Sequence, residues 1–308
     1  MKRSILSVLG VFLALAFLVS CENNESPESP ICEIVVESDG EGAVAIANNT
    51  GLAVTILKGN SLEVVATPDD GYEFIGWFVG DDATPVSTEA AYTFVVSRSV
   101  VLVAKFRFPF AATGSVGGHE FVDLGLPSGL KWATHNVGAT EIYDKGNYYS
   151  WGESIEKPAY NQTYYQLTDD NGDINKYYAG DGKTVLEPED DVAAEKWGGS
   201  WRLPTKEELQ ELIDNCSFKS MKVNGVLGMR IKGPNNNCIF LPAASYRSSP
   251  YSTILAGYMC YWSSSLSDAS HLKAYCFDTY IGTVNKDFTM NVTSVSRYLG
   301  YSIRPVVR

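Results

Sequence analysis

An apolar stretch from Ile5 to Val19 follows Lys2 and Arg3, and small residues lead from it to Cys21. That order of basic, apolar and small residues predicts a secretory signal peptide over residues 1–20. The stretch is shorter than the ~20 residues a spanning helix requires. Glu22 to Pro30 contains no large apolar residue, so residues 21–31 read as a flexible tether. From Cys32 the pattern alternates in short runs: Ile34 to Glu37, Ala43 to Ala47, Val54 to Leu57, Leu62 to Thr67, Tyr72 to Phe78, Tyr92 to Val96 and Val100 to Phe106. Turn residues separate them, most clearly Pro68-Asp69-Asp70-Gly71, and the period of two predicts a small all-β domain over residues 32–108. Phe74 and Trp77 fall at core positions of this domain.

Residues 109–118, with Pro109 and three glycines, read as a linker. In the second domain, residues 119–308, aromatic and glycine-rich strands alternate with long polar loops, and few segments carry a helical period. The clearest is Thr205 to Cys216, where Thr205 and Glu208 make a capping box and Leu209, Leu212 and Ile213 share one face. Asp190 to Trp197 reads as a second, shorter helix. The order predicts an α+β domain with few helices and long loops.

Charge narrows the partners. The 308-residue chain carries −12, and removal of the signal leaves 22 basic against 36 acidic residues, or −14. With no basic stripe, nucleic acid and anionic surfaces are disfavoured. Beyond Cys21 the cysteines are Cys32, Cys216, Cys238, Cys260 and Cys276, an odd set without zinc spacing, and small buried residues are the simplest reading. No disulfide is assigned.

Leu18-Val19-Ser20-Cys21 resembles the lipobox of bacterial lipoproteins, which implies lipidation at Cys21 and a membrane-anchored, extracytoplasmic protein. Glu22 and Glu25 resemble the acidic export signal of surface lipoproteins, which implies an outer-membrane protein facing the exterior. Leu62 to Pro68, Gly71 to Trp77, Tyr92-Thr93-Phe94 and Val103 to Phe106 resemble the divergent B-repeat modules related to internalin, which implies a spacer or adhesive role. In the second domain three islands stand out: Asp123 to Ala133, Trp197 to Thr205, and Tyr261 to Ser265 with Gly300 to Pro305. Together with Asn136 to Ala139 and Ser150 to Glu153, they resemble the Fibrobacter succinogenes major paralogous domain. That resemblance implies a C-type-lectin-like fold, related in architecture to formylglycine-generating enzymes and to receptors diversified by retroelements.

Within the islands, Trp132, Trp151, Trp197, Trp201, Arg202, Trp262 and Arg304 read as scaffold, the arginines tying loops through planar hydrogen-bond forks. The stretch from Leu266 to Leu299 reads as loops rich in hydrogen-bonding and aromatic side chains. Asp268, Ser270, His271, Tyr275, Asp278, Thr279, Tyr280, Asn285, Asp287, Asn291 and Tyr298 are its candidate ligand contacts, a composition suited to an adaptable binding surface.

Catalytic and metal signatures fail by spacing. Gly182-Lys183-Thr184 lacks the first glycine of a phosphate loop, which would fall at Tyr177. Asp169, Asn171 and Asp173 open like a calcium loop, yet the sixth position is Ile174 and the twelfth Gly180. His119, His135 and His271 are far apart with no metalloprotease or hydrolase motif. The sequence therefore predicts no enzyme, no metal and no cofactor. It predicts a recognition or adhesion protein binding an extracellular glycan or protein, the alternatives being a structural envelope or pilus-associated component and a retroelement-diversified receptor.

Overall fold

A computed structural model describes residues 30–69, 71–248, 256–282 and 288–308. Cys21, Asn285 and Asp287, and Asp70 of the predicted turn, lie outside the described residues. The chain divides after Arg107 into two compact units.

Among its described residues the first unit holds seven strands: β1 (Ile31–Ser38), β2 (Gly42–Ile46), β3 (Ala53–Leu57), β4 (Ser61–Pro68), β5 (Glu73–Val79), β6 (Ala91–Val95) and β7 (Val100–Arg107). They form a four-stranded sheet, β3-β1-β7-β5, and a three-stranded sheet, β2-β4-β6. All pairings are antiparallel except β1 with β7, which runs parallel from Ile34 opposite Val100 to Ser38 opposite Ala104. Val36, Trp77, Leu102 and Ala104 of one sheet meet Ile46, Val64 and Ala66 of the other in one core, so the unit is a sandwich. The alternation that predicted the strands is what fills that core: every second residue of β1 and β7 points inward. Trp77 is fully buried, its indole donating to the Ala90 carbonyl, and Phe74 packs against it edge-on. Beside Trp77 the ladder shifts register at Gly76, where a Cβ would come within 2.6 Å of Pro85, so a glycine lets the following loop close over the strand.

The second unit holds β8 (Gly114–Val116), β9 (His119–Asp123), β10 (Lys131–Ala133), α1 (Val192–Trp197), α2 (Lys206–Asn215), β11 (Ser217–Val223), β12 (Val226–Lys232), β13 (Cys238–Pro242), β14 (Tyr258–Leu266), β15 (Lys273–Tyr280), β16 (Asn291–Ser296) and β17 (Val306–Val307). Three antiparallel sheets result, ordered β17-β10-β9-β8, β11-β12-β13 and β14-β15-β16. The architecture is an all-β unit followed by an α+β unit with two α-helices among its described residues and long loops. Residues 114–116, read as linker, are a strand: Gly114 lies under the Phe121 ring, where a Cβ would come within 2.4 Å.

α2 starts as its sequence dictates, Thr205 accepting from the Glu208 amide while the Glu208 carboxylate accepts from the Thr205 amide. Arg202 then forks onto both Glu208 oxygens at 2.7 and 2.6 Å. Asp191 caps α1 by accepting from Ala193 and Ala194, and its second oxygen takes the Leu203 amide at 2.8 Å. Leu209 and Leu212 of α2 join Trp132, Met229, Leu241 and Tyr261 in one cluster. Trp151, Trp262, Cys260, Cys276 and Tyr301 form part of a second.

Candidate functional site

Arg297, directly after β16, is 1% exposed and ties two loops together. Its Nε donates to the Tyr165 hydroxyl at 2.8 Å, one terminal nitrogen to the carbonyls of Tyr177 (3.2 Å) and His271 (3.0 Å), and the other to the Lys176 carbonyl (3.1 Å). The guanidinium also lies over the rings of Trp151, Tyr165 and Tyr177. Burial lowers its pKa, offset in part by those tyrosines. One buried side chain thus joins the 176–184 loop to the β14–β15 loop.

Between these loops lies a cleft of about 440 Å³. One wall is Tyr178, Gly182, Lys183 and Thr184; the other is Asp268, Ser270 and His271. The first wall is held from beneath. Tyr177 adopts a left-handed φ of 61°, costly for a ring-bearing residue, and is fixed there by its amide on Asp181 (2.6 Å) and its hydroxyl on Asp190 (2.5 Å). Burial works against ionisation of Asp181, but the Lys183 and Tyr177 amides hold its carboxyl below the usual range. Lys183 and Lys176 both reach Glu187 and pull its pKa down to about 2. Tyr178 and His271 remain exposed at the mouth.

The predicted contacts therefore separate. Asp268, Ser270 and His271 share the cleft, while Tyr275 stands at its rim with its hydroxyl 3.2 Å from the Asp268 carboxylate. Lys206 pairs with Asp268, raising its own pKa and lowering that of Asp268, and sits 4.7 Å over the Tyr275 ring. The remainder correct the reading of 266–299 as loops: residues 273–280 and 291–296 are β15 and β16, whose alternate residues face opposite sides. Tyr275 and Thr279 share the side of Phe277, whereas Asp278 and Tyr280 share that of Cys276, so these four cannot form one surface. Thr279 is buried with its hydroxyl on the Thr289 carbonyl. Asp278 is half-buried, its pKa raised by burial, beside the Cys260 thiol. Tyr280 is exposed against Tyr258, Asn291 is exposed, and Tyr298 is half-buried with its carbonyl taken by Ser150.

The scaffold residues have separate places. Trp132, Trp151, Trp201 and Trp262 are almost wholly buried; Trp262 donates to the Tyr149 carbonyl and Trp151 to that of Ser263. Arg304, fully buried, donates to Asn136 and to the carbonyls of Ala133, Thr134 and Phe240, and burial lowers its pKa to about 10. Trp197 is half-buried beneath His119.

Reading from the sequence missed Arg297, Tyr165, Tyr177 and Tyr178. Arg297 had a signal, a lone arginine three residues before Gly300-Tyr301. Asp169, the first residue of the calcium-like stretch, spends one oxygen on the Asn171 and Asp173 amides and closes a turn. Glu187, Glu189 and Asp190 form an acidic cluster, and Lys176 pairs with all three. Burial first and then Asp278 raise the thiol pKa values of Cys260 and Cys276, while burial pushes Cys216 up to about 11, so these thiols stay protonated.

Among known families, the divergent InlB B-repeat domain matches residues 33–108. The chain carries an N-terminal B-repeat domain. No curated protein and no solved structure matches the chain. The chain thus joins a repeat module of the adhesion-like kind to a compact β-rich second unit.

Proposed function

We propose that this protein is a lipid-anchored recognition protein of the outer membrane, facing the exterior. In this reading Cys21 carries the lipid, residues 21–31 are the tether and the B-repeat domain is the spacer. The second unit, a C-type-lectin-like domain of the Fibrobacter succinogenes major paralogous kind, binds an extracellular glycan or protein. The observation that carries the reading is the cleft where Asp268, Ser270 and His271 face Tyr178 and Lys183 across loops joined by Arg297. Preorganised loops bearing exposed aromatic and hydrogen-bonding groups lose little entropy on binding.

The test has two parts. Protease treatment of intact cells, with an epitope after Arg308 and lysed cells as control, reads display; removal of the epitope from intact cells is expected. Beads coated with residues 21–308 are then scored on mucin, collagen, fibronectin and glycan arrays beside the Tyr178→Ala/His271→Ala double variant. The expected result is saturable retention by the wild type that falls about tenfold or more in the variant. Protection of the epitope until lysis, together with retention that ignores the cleft, would instead favour an envelope component.

A further inference from the structure

A second surface of the same unit carries a stacked pair of aromatic side chains. Ala133 pairs with Phe121, and the Thr134 amide reaches the Glu120 carbonyl at 3.1 Å, so the β9–β10 ladder continues until His135 comes opposite His119. The two histidines, sixteen positions apart in the chain, line one concavity. The His119 imidazole lies flat on Trp197, 4.0 Å between centroids and 6° between planes, and Trp197 stands edge-on to Trp201 at 5.1 Å. Trp201 is itself fixed, its indole donating to the Val116 carbonyl at 2.9 Å. The stack is therefore anchored from below, and His119 and Trp197 border two adjoining concavities of about 550 and 290 Å³.

Polar groups ring this aromatic wall. Asn147, Tyr149, Glu156 and Lys196 stand on one side, and Glu120 and Thr140 on the other. The Asn147 amide lies against Gly138, where a Cβ would come within 2.6 Å, so the glycine admits it to the rim. Burial lowers the His119 pKa, which favours a neutral imidazole at pH 7. With two carboxylates against one ammonium, the rim disfavours anions.

We infer that the His119–Trp197 groove is a binding site for a neutral oligosaccharide, one sugar ring lying against the aromatic wall with its hydroxyls turned to Asn147, Glu156 and Glu120. A pyranose offers an apolar C–H face and an equatorial rim of hydroxyls that both donate and accept. The groove offers a flat ring beside carboxylate acceptors and an amide that does both. Two concavities on either side of one wall suit a chain of sugars rather than an enclosed small molecule. None of these residues belongs to the cleft between the 176–184 and β14–β15 loops, so the two assignments stand separately.

Tryptophan-fluorescence titration of residues 21–308 with cellohexaose, mannohexaose and chitohexaose tests the assignment. At least one hexaose is expected to bind saturably, and His119→Ala to weaken it about tenfold, the worth of one aromatic contact. Glu156→Gln is expected to weaken it less, and Tyr178→Ala/His271→Ala to leave it unchanged. If His119→Ala loses its native circular dichroism, Asn147→Ala on the rim carries the test. No saturable binding of any hexaose at millimolar concentration would overturn the assignment. So would wild-type affinity in a folded His119→Ala or Asn147→Ala protein, or binding abolished by the cleft double variant.

Discussion

Replacing Arg297 by methionine removes one side chain and, with it, the tie between two loops. The substitution keeps most of the volume but deletes four hydrogen bonds, three of them to backbone carbonyls of Lys176, Tyr177 and His271. A buried carbonyl left without a donor costs about 1–3 kcal/mol, and with the Tyr177 carbonyl buried and those of Lys176 and His271 partly so, the three together cost up to roughly 9 kcal/mol. Set against this is relief from burying a cation whose four hydrogen bonds go to neutral oxygens, worth several kcal/mol. The balance is a loss of about 3–4 kcal/mol. Five of the six tryptophans lie in the second unit, so fluorescence in urea reports chiefly on it. With a slope of about 2.5 kcal/mol per molar urea, the midpoint is expected to fall by about 1.5 M. Hydrogen exchange should quicken at residues 176–184 and 267–272 while β11 to β13 stay protected. A midpoint shift below ~0.3 M, or exchange unchanged in both loops, would show that Arg297 does not hold them.

Three further outcomes are expected. Burial alone would raise the Glu208 pKa, but the Arg202 fork and the Thr205 amide bring it below the ordinary 4.5; the stability it contributes is full above that value and disappears as pH falls through the depressed one, so Arg202→Met should flatten the acid limb of a melting-temperature profile. A limb as steep as wild type would contradict this. Asp191→Asn keeps the acceptor for the Ala193 and Ala194 amides but turns an NH₂ toward the Leu203 amide, and urea melts should show it destabilised by about 1–2 kcal/mol despite near-identical shape. Native protein at pH 8 should leave Cys260 and Cys276 unalkylated by iodoacetamide and label Cys216 slowly, with all three reacting in urea; rapid native labelling of Cys260 would mean its thiol is accessible and ionisable.

The first unit was legible because both of its sheets bury one face, so a period of two carries through the sequence; β1 starts three residues before the predicted Ile34, and the other six predicted strands lie within a residue of their observed bounds. The α2 start was equally plain, since capping is local. The failures share a cause. Asn291-Val292-Thr293-Ser294-Val295-Ser296 is a strand whose residues are nearly all half-buried, so small polar side chains replaced the apolar alternation that marks a strand. The Arg297 cage draws its rings from positions 151, 165 and 177, a convergence no local window contains. His119 and His135 looked unrelated because their proximity comes from ladder register, not sequence spacing. Composition suggested one ligand-contact surface over residues 266–299, and the strands β15 and β16 separate its members.

The parallel pairing of β1 with β7 gives the first unit a mechanical property. Its first strand and its last are neighbours in one sheet and run the same way, so the chain enters at one end of that ladder and leaves at the other. Pulling on residues 31 and 107 loads the rungs from Ile34 opposite Val100 to Ser38 opposite Ala104 together, in shear. An antiparallel hairpin in that place would open one rung at a time. Forced unfolding is governed by the rate of crossing its barrier rather than by equilibrium stability. Simultaneous loading raises that barrier, making this sandwich a link that resists extension along the chain.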